Sequence, residues 1–292
     1  MTIDASCLSG ALVPSPPWTA ALAGSFSRAV SLLHPDGAFV SLVRNQADME
    51  ARAVHLDIDW NILTRALEPD EGRLCRVIRT EDGFSFQIDQ TVTATVRLVQ
   101  QRVVTVKSEL KLAAQYWQAA AFRQRNLVLN ELQQYIKDEH SAGRPFSGLH
   151  DDTVFSRHFR QLQNRPDWPA NLVGFGPGTT PAGDDWLGGY LLALDMNGEH
   201  WAAAAAQLRM EIQDRLKRTN TAGRTLLLGA LAGETPAWLT SLASTLAAQA
   251  AGNNAESRYN LPEQVRYALA HGATSGEDTL AGLLAGLTLR EA

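Results

Sequence analysis

The sequence has few cysteines, no long apolar run and no cluster of basic residues. Its two cysteines in 292 residues, Cys7 and Cys75, form no Cys-x-x-Cys pair and have no paired histidine spacing, which argues against a disulfide framework and a zinc site. No apolar run approaches the roughly 20 residues that span a bilayer. No basic residue precedes the short apolar patches at the N-terminus. The formal net charge of −5 argues against nucleic acid or an anionic membrane as partner. We expect a soluble cytoplasmic protein.

Short apolar segments predict strands in the first third of the chain. Residues 25–33 and 38–44 flank a His-Pro-Asp-Gly turn, and a second hairpin turns at residues 81–83, which end in Asp-Gly. Alternating apolar residues continue over 92–106. We therefore predict six or so short strands in a compact antiparallel sheet or barrel, forming a β-rich domain over residues 1–106.

Near Lys107 the apolar period changes from two to about 3.6 residues, which predicts a helical domain over 107–292. One long helix is expected from Lys107 to about residue 143. Five further helices are expected at 201–217, 221–232, 236–251, 262–270 and 277–289. The predicted fold class is therefore α+β.

Three glycines stand at alternate positions of one short segment: Gly174, Gly176 and Gly178. Residues 174–180 are named the glycine loop. Its backbone can adopt positive φ and approach a partner closely, because glycine has no Cβ. Thr180 and Pro181 suit the N-cap and first position of a helix. A helix N-terminus favours an anion, so we predict that Gly176, Gly178, Thr179 and Thr180 bind an anionic small molecule.

Two carboxylates, Asp184 and Asp185, follow the glycine loop in the first turn of this predicted helix. In one interpretation they only compensate the helix dipole. In another they hold a divalent cation through hard oxygen ligands, or bind an amide or ammonium group of a substrate. We predict that both are catalytic residues and that they lie beside Gly176 and Gly178 at a concave, solvent-reachable site, and we leave the presence of a metal open.

The sequence at the predicted helix start after the glycine loop is repeated near the end of the chain, and we call this repeat the echo. Two segments, each beginning with glycine and a pair of acids, match at one constant offset: Gly183-Asp184-Asp185 and Gly276-Glu277-Asp278. The match continues through Gly189 and Gly282. We predict that these glycines let the two helices pack closely, that the helix starts lie near each other, and that Thr180 and Thr274 face one cavity. Three residues of the second segment are predicted to bind substrate: Thr274, Ser275 and Asp278.

These segments resemble a bacterial family typified by the AllH-type subunit of oxamate carbamoyltransferase. The resemblance lies in three blocks: Gly-x-Gly-Pro-Gly-x-Thr-Pro-x-Gly-Asp-Asp from Gly174, Arg-Thr-Asn-Thr from Arg218, and Gly-x-Thr-Ser-Gly-x-Asp-x-Leu-x-Gly from Gly272. The N-terminal segment around Phe26 is also similar. One position differs, since family members often carry histidine where this chain has Ala273.

The resemblance implies a subunit of an enzyme that exchanges a carbamoyl group between oxalurate, phosphate, oxamate and carbamoyl phosphate. It also implies two partners, an FdrA-like subunit related to succinyl-CoA synthetases and a further uncharacterised subunit. It carries over no catalytic residue. An alternative is a non-catalytic ligand-binding or scaffolding subunit of an FdrA-containing complex, in which the glycine loop is a structural turn.

Overall fold

The computed structural model describes residues 2–67, 75–142, 154–162, 168–253 and 260–289. The chain forms two compact units, Met1–Thr105 and Val106–Ala292. In the described part of the chain, no helix is both long enough and apolar enough to cross a membrane.

The first unit is built on a closed barrel. Within the described ranges its eight strands are β1 (Thr2–Gly10), β2 (Trp18–Ser25), β3 (Ala29–Leu33), β4 (Phe39–Val43), β5 (Ala53–Leu56), β6 (Cys75–Arg79), β7 (Gly83–Ile88) and β8 (Thr91–Val104). Their order around the barrel is β1-β5-β4-β3-β2-β6-β7-β8, and β8 pairs with β1. A short helix, α1 (Trp60–Ala66), follows β5. The inward side chains, among them Val30, Leu32, Phe84 and Phe86, are almost fully buried and fill the interior.

The barrel confirms the predicted β-rich N-terminal region, with differences in strand number and direction. Of the eight neighbouring strand pairs in the described residues, six are antiparallel, and β1–β8 and β4–β5 are parallel. The prediction missed β1 and β2, and β1 gave no signal because its inward residues are small: Ala5, Cys7 and Ser9. A strand with such side chains shows little apolar alternation in its sequence.

The second unit is helical. Its described helices are α2 (Lys107–Ala119), α3 (Phe122–Ser141), α4 (Val154–Leu162), α5 (Ala182–Asn197), α6 (Glu199–Arg215), α7 (Thr221–Leu231), α8 (Ala237–Ala250), α9 (Leu261–Leu269) and α10 (Ser275–Leu287). The α+β class is confirmed, and the five helices predicted after residue 200 correspond to α6 through α10.

The single long helix predicted from Lys107 is wrong, because α2 and α3 are separate. Ala120 and Ala121 have extended backbone conformations between them, which an alanine pair does not reveal in a sequence. The break lets Trp117 of α2 and Leu132 of α3 both enter one core with α8 and α9. The predicted end near residue 143 lies outside the described residues.

Helices α5 and α10 pack closely through glycines. A Cβ at Gly189 of α5 would overlap the carbonyl oxygen of Thr279, and a Cβ at Gly282 of α10 would overlap that of Trp186. In the echoed alignment Trp186 corresponds to Thr279, so these two contacts are reciprocal. A third contact, between Ala193 and Gly286, lies farther along both helices. The helices therefore run in the same direction with their starts at the same end, as the echo predicted.

Candidate functional site

The glycine loop turns three alternate carbonyl groups towards the protein. The carbonyl of Phe175 accepts from the Gly183 N–H (2.7 Å), that of Pro177 from the Ala182 N–H (3.1 Å) and that of Thr179 from the Asn220 side-chain amide (2.8 Å). Two of these donors are the first N–H groups of α5, which a helix start leaves without an intrahelical partner. The loop itself therefore caps α5.

This capping differs from the prediction that Thr180 is the N-cap of the helix. The helix begins at Ala182, Pro181 holds the N-cap position, and no side chain caps it. The physical reason is that the carbonyls of the loop already accept the hydrogen bonds that a threonine hydroxyl would otherwise accept.

The opposite edges of the same peptides present N–H groups. In a planar trans peptide the C=O and the following N–H point in opposite directions, so the N–H groups of Gly176, Gly178 and Thr180 point away from the donors that bind these carbonyls. Within the described ranges these three N–H groups donate to no acceptor in the chain. Gly176 and Gly178 have φ of 97° and 111°, in the region that favours glycine. The tip of the loop at Pro177, Gly178 and Thr179 is exposed.

Asp184 lies below the loop and ties it to Thr219, just before α7. Its carboxylate accepts a hydrogen bond from the Gly174 N–H (2.8 Å) and another from the Thr219 hydroxyl. The side chain is fully buried. Burial raises the pKa of Asp184 to about 6, while the hydrogen bonds from Thr219 and Gly174 act in the opposite direction.

The start of α7 meets the glycine loop at the same place. Asn220 is the N-cap of α7, and its side-chain oxygen accepts from the Gly223 N–H (2.9 Å) while its amide donates to the Thr179 carbonyl. A Cβ at Gly223 would overlap the carboxylate of Asp184 and the hydroxyl of Thr219. The glycine loop and the starts of α5 and α7 thus form one hydrogen-bonded assembly.

Both predicted catalytic carboxylates are buried, which differs from the expectation of a solvent-reachable acid pair. Asp184 is 0% exposed and Asp185 is 2% exposed. The reason is that the N-terminal turn of α5 is covered by the glycine loop, whose Phe175 carbonyl sits on Gly183. In the described residues, no group of three or more His, Cys, Asp and Glu side chains is placed to hold a metal ion.

The second echoed start has other neighbours. Glu277 pairs with His140 of α3, with 3.3 Å between Oε1 and Nε2, and both side chains are buried. The Gly276 N–H donates to the His271 carbonyl (3.0 Å), and the Thr274 carbonyl accepts from the Asp278 N–H (3.0 Å). The contacts of this start therefore lead to α3 and to the turn after α9, and a shared cavity for Thr180 and Thr274 stays a prediction.

Sequence reasoning assigned no role to two residues that hold the loop, Thr219 and Asn220. Both belong to the Arg-Thr-Asn-Thr block that begins at Arg218, so the resemblance marked the segment without saying what it does. Asparagine just before a segment with helical apolar periodicity is an N-cap signal. The contact of the same side chain with Thr179 has no sequence signal.

The whole chain was compared with protein families, curated proteins and solved structures. Neither the comparison with curated proteins nor the comparison with solved structures gave a match. Residues 172–287, from the glycine loop to the end of α10, match the family model of the oxamate carbamoyltransferase subunit AllH, which confirms the resemblance over this part of the chain.

Proposed function

We propose that this protein is a subunit of an oxamate carbamoyltransferase-like enzyme. The observation that carries the proposal is the family match over residues 172–287, which includes the glycine loop, α5, α7 and α10. In the reaction an oxygen of phosphate attacks the carbamoyl carbon of oxalurate and the bond from that carbon to the oxamate nitrogen breaks. The nitrogen takes a proton, and the products are oxamate and carbamoyl phosphate.

The glycine loop is the proposed binding site for an anionic group of these compounds. Each of them carries a carboxylate or a phosphate. The N–H groups of Gly176, Gly178 and Thr180 are donors directed away from the protein, and the N-terminus of α5 adds a partial positive charge. The hydroxyls of Thr179 and Thr180 are further donors.

The buried acids have a supporting role in this proposal. Asp184 fixes one end of the loop through Gly174, so its substitution acts on substrate through the shape of the loop. Direct catalysis by Asp184 or Asp185 remains a prediction from the sequence. Thr274, Ser275 and Asp278 at the α10 start likewise remain predicted substrate contacts, as does a divalent cation.

The burial of Asp184 and Asp185 also favours the second candidate function, a non-catalytic ligand-binding or scaffolding subunit. In that case the chain binds the anion or its partners, and the FdrA-like subunit carries the chemistry. The two candidates share the glycine loop as a site and differ in whether turnover needs an intact loop.

The test combines binding and turnover. Oxamate, oxalurate, carbamoyl phosphate and phosphate are titrated into the full chain, and a ligand at 100 times its Kd should raise the free energy of unfolding by about 2.7 kcal/mol. Carbamoyl phosphate formation from oxalurate and phosphate is then measured with the FdrA-like and third subunits, with and without this chain. Turnover that is independent of this chain would overturn the enzyme-subunit proposal.

A glycine pair separates the loop from general backbone strain. Gly178→Ala places a Cβ at φ 111° and 2.6 Å from the Thr180 carbonyl oxygen, whereas Gly252→Ala adds a Cβ at φ 77° with no atom within 4 Å. Gly252→Ala should cost about 1 to 2 kcal/mol of stability, and Gly178→Ala should cost more, because its Cβ also overlaps a backbone carbonyl oxygen. Only Gly178→Ala should also weaken ligand binding. Equal binding by both variants would remove the loop from the site, and loss of turnover without loss of binding would favour the catalytic reading.

A further inference from the structure

We propose that Asn220 is a positioning residue that aims the Thr180 N–H at the bound anion, an inference that rests on the glycine loop being the anion site. Asn220 is not part of the loop and is 41 residues away from Thr179, whose carbonyl it contacts. It contributes no charge. Its effect on the ligand passes through the peptide that joins Thr179 and Thr180.

One hydrogen bond fixes the orientation of the peptide between Thr179 and Thr180. The Asn220 amide donates to the Thr179 carbonyl over 2.8 Å. Because the peptide is planar and trans, fixing its carbonyl also fixes the direction of the Thr180 N–H on the other edge. The corresponding peptides at Phe175 and Pro177 are held by N–H groups of α5 itself. Of the three alternate peptides, the one at Thr179 is thus held by a side chain.

The Asn220 side chain can hold that peptide because the side chain is itself fixed. Its oxygen is fixed by the Gly223 N–H at the start of α7, which sets the plane of the amide and points its nitrogen at the loop. The preceding residue, Thr219, donates to Asp184, and Asp184 accepts from the Gly174 N–H. Two consecutive residues before α7 therefore hold the two ends of the glycine loop.

Asn220 both caps α7 and holds the Thr179 peptide, and a substitution can separate these two roles. Serine is about as good an N-cap as asparagine, so Asn220→Ser keeps a cap for Gly223 and removes the donor to Thr179. The chain offers a matched control in α9, where Asn260 caps the Glu263 N–H over 2.8 Å in the same way. Asn260→Ser changes an N-cap of the same kind at the start of α9 instead of α7.

The experiment compares the full chain with Asn220→Ser and Asn260→Ser, using oxamate and inorganic phosphate as probes. Complete loss of a hydrogen bond from the Thr180 N–H to a charged ligand costs about 1.5 kcal/mol, so Asn220→Ser should raise the Kd by up to about tenfold. Asn260→Ser should leave the Kd unchanged. Both variants should show the same small change in Tm. With oxamate bound, protection of the Thr180 amide from hydrogen exchange should be reduced in Asn220→Ser alone.

The outcomes separate the two proposals. If the wild-type chain binds neither probe, the anion site under the proposed function fails, and the role of Asn220 fails with it. If the wild-type chain binds and Asn220→Ser binds as well as Asn260→Ser does, only the positioning role is overturned. If Asn220→Ser instead raises the Kd and also lowers the Tm well below that of Asn260→Ser, Asn220 acts as a structural cap, and the positioning role is overturned as well.

Discussion

The starts of α5 and α10 share a Gly-acid-Asp sequence, yet their acids contact different parts of the second unit. Asp184 accepts from Gly174 and Thr219 beneath the glycine loop, whereas Glu277 pairs with His140 of α3. What the two segments have in common is the contact between the helices, where each glycine lies on a carbonyl of the other helix. The comparison teaches that the repeated glycines encode helix packing, and that each acid is used by its local surroundings.

The largest expected effect comes from breaking the shared helix contact. Gly189→Ala or Gly282→Ala puts a methyl group onto a backbone carbonyl of the opposite helix, which cannot move as a side chain can. Each variant should lower the free energy of unfolding by about 3 kcal/mol, as overpacking does. Urea unfolding measures it.

Gly188→Ala is the matched control for this pair. Its Cβ would meet a methyl carbon of Leu226 at 3.2 Å, the far end of a flexible side chain. Replacing a helical glycine by alanine gains about 1 kcal/mol of helix propensity, so the net effect at residue 188 should be within about 1 kcal/mol. Equal losses at 188 and 189 would refute the reciprocal packing.

The next effect sharpens the difference between the acids and depends on pH. The pKa of Asp184 is raised from 3.8 to about 6 in the folded protein. Between these values the folded chain holds a proton that the unfolded chain has released, so this group makes stability fall as the pH rises from about 4 to 6. Asp184→Asn cannot ionise. Its free energy of unfolding should therefore rise relative to wild type by about 2 to 3 kcal/mol between pH 4 and pH 7.

Unfolding of wild type and of Asp184→Asn between pH 4 and pH 7 measures the difference between their free energies of unfolding. The other titrating groups contribute equally to both proteins and cancel in this difference. Below about pH 3 the two curves should run parallel, because Asp184 is then protonated in both states. A difference that does not change between pH 4 and pH 7 would mean that Asp184 titrates normally and is better solvated than its burial indicates.

The smallest effect tests the link between Asp184 and α7. Thr219→Val keeps the shape of the side chain and removes the hydroxyl that donates to the buried carboxylate. The loss should be about 1.5 kcal/mol at pH 7. In the Asp184→Asn background it should be smaller, since the charged acceptor is gone. A double-mutant cycle measures this coupling, and a coupling energy near zero would contradict the link.

Much of the fold could be predicted from the sequence because its signals are local. Helix starts and stops after residue 200 follow from Gly233, Pro236 and the apolar period, and the hairpin at 81–83 follows from Asp-Gly. The break between α2 and α3 could not be predicted, because it is set by Trp117 and Leu132 packing on helices far away in the chain. The pairing of β1 with β8 is of the same kind, since it joins the two ends of the barrel segment.

The position of the candidate site in the chain could be predicted from the sequence, but the burial and contacts of its acids could not. The spacing of Gly174, Gly176 and Gly178 correctly marked a loop with positive φ before a helix. Burial of Asp184 was not visible, because it depends on Thr219 and Gly223 being folded against it from the start of another helix. Two adjacent acids read in isolation are typical of an exposed first turn, and long-range packing reversed that expectation.

The alternate carbonyls of the glycine loop have a consequence for how its function can be studied. The groups proposed to face the anion belong to the main chain, so alanine scanning of residues 175–180 removes none of them and reports only on added or lost side chains. Backbone N–H groups also carry no pKa. Affinity for oxamate that the loop alone supplies should be constant across neutral pH, because the carboxylate of oxamate stays ionised, and an oxamate-binding transition near pH 6 would trace to Asp184, through the one loop amide, Gly174, that its carboxylate holds.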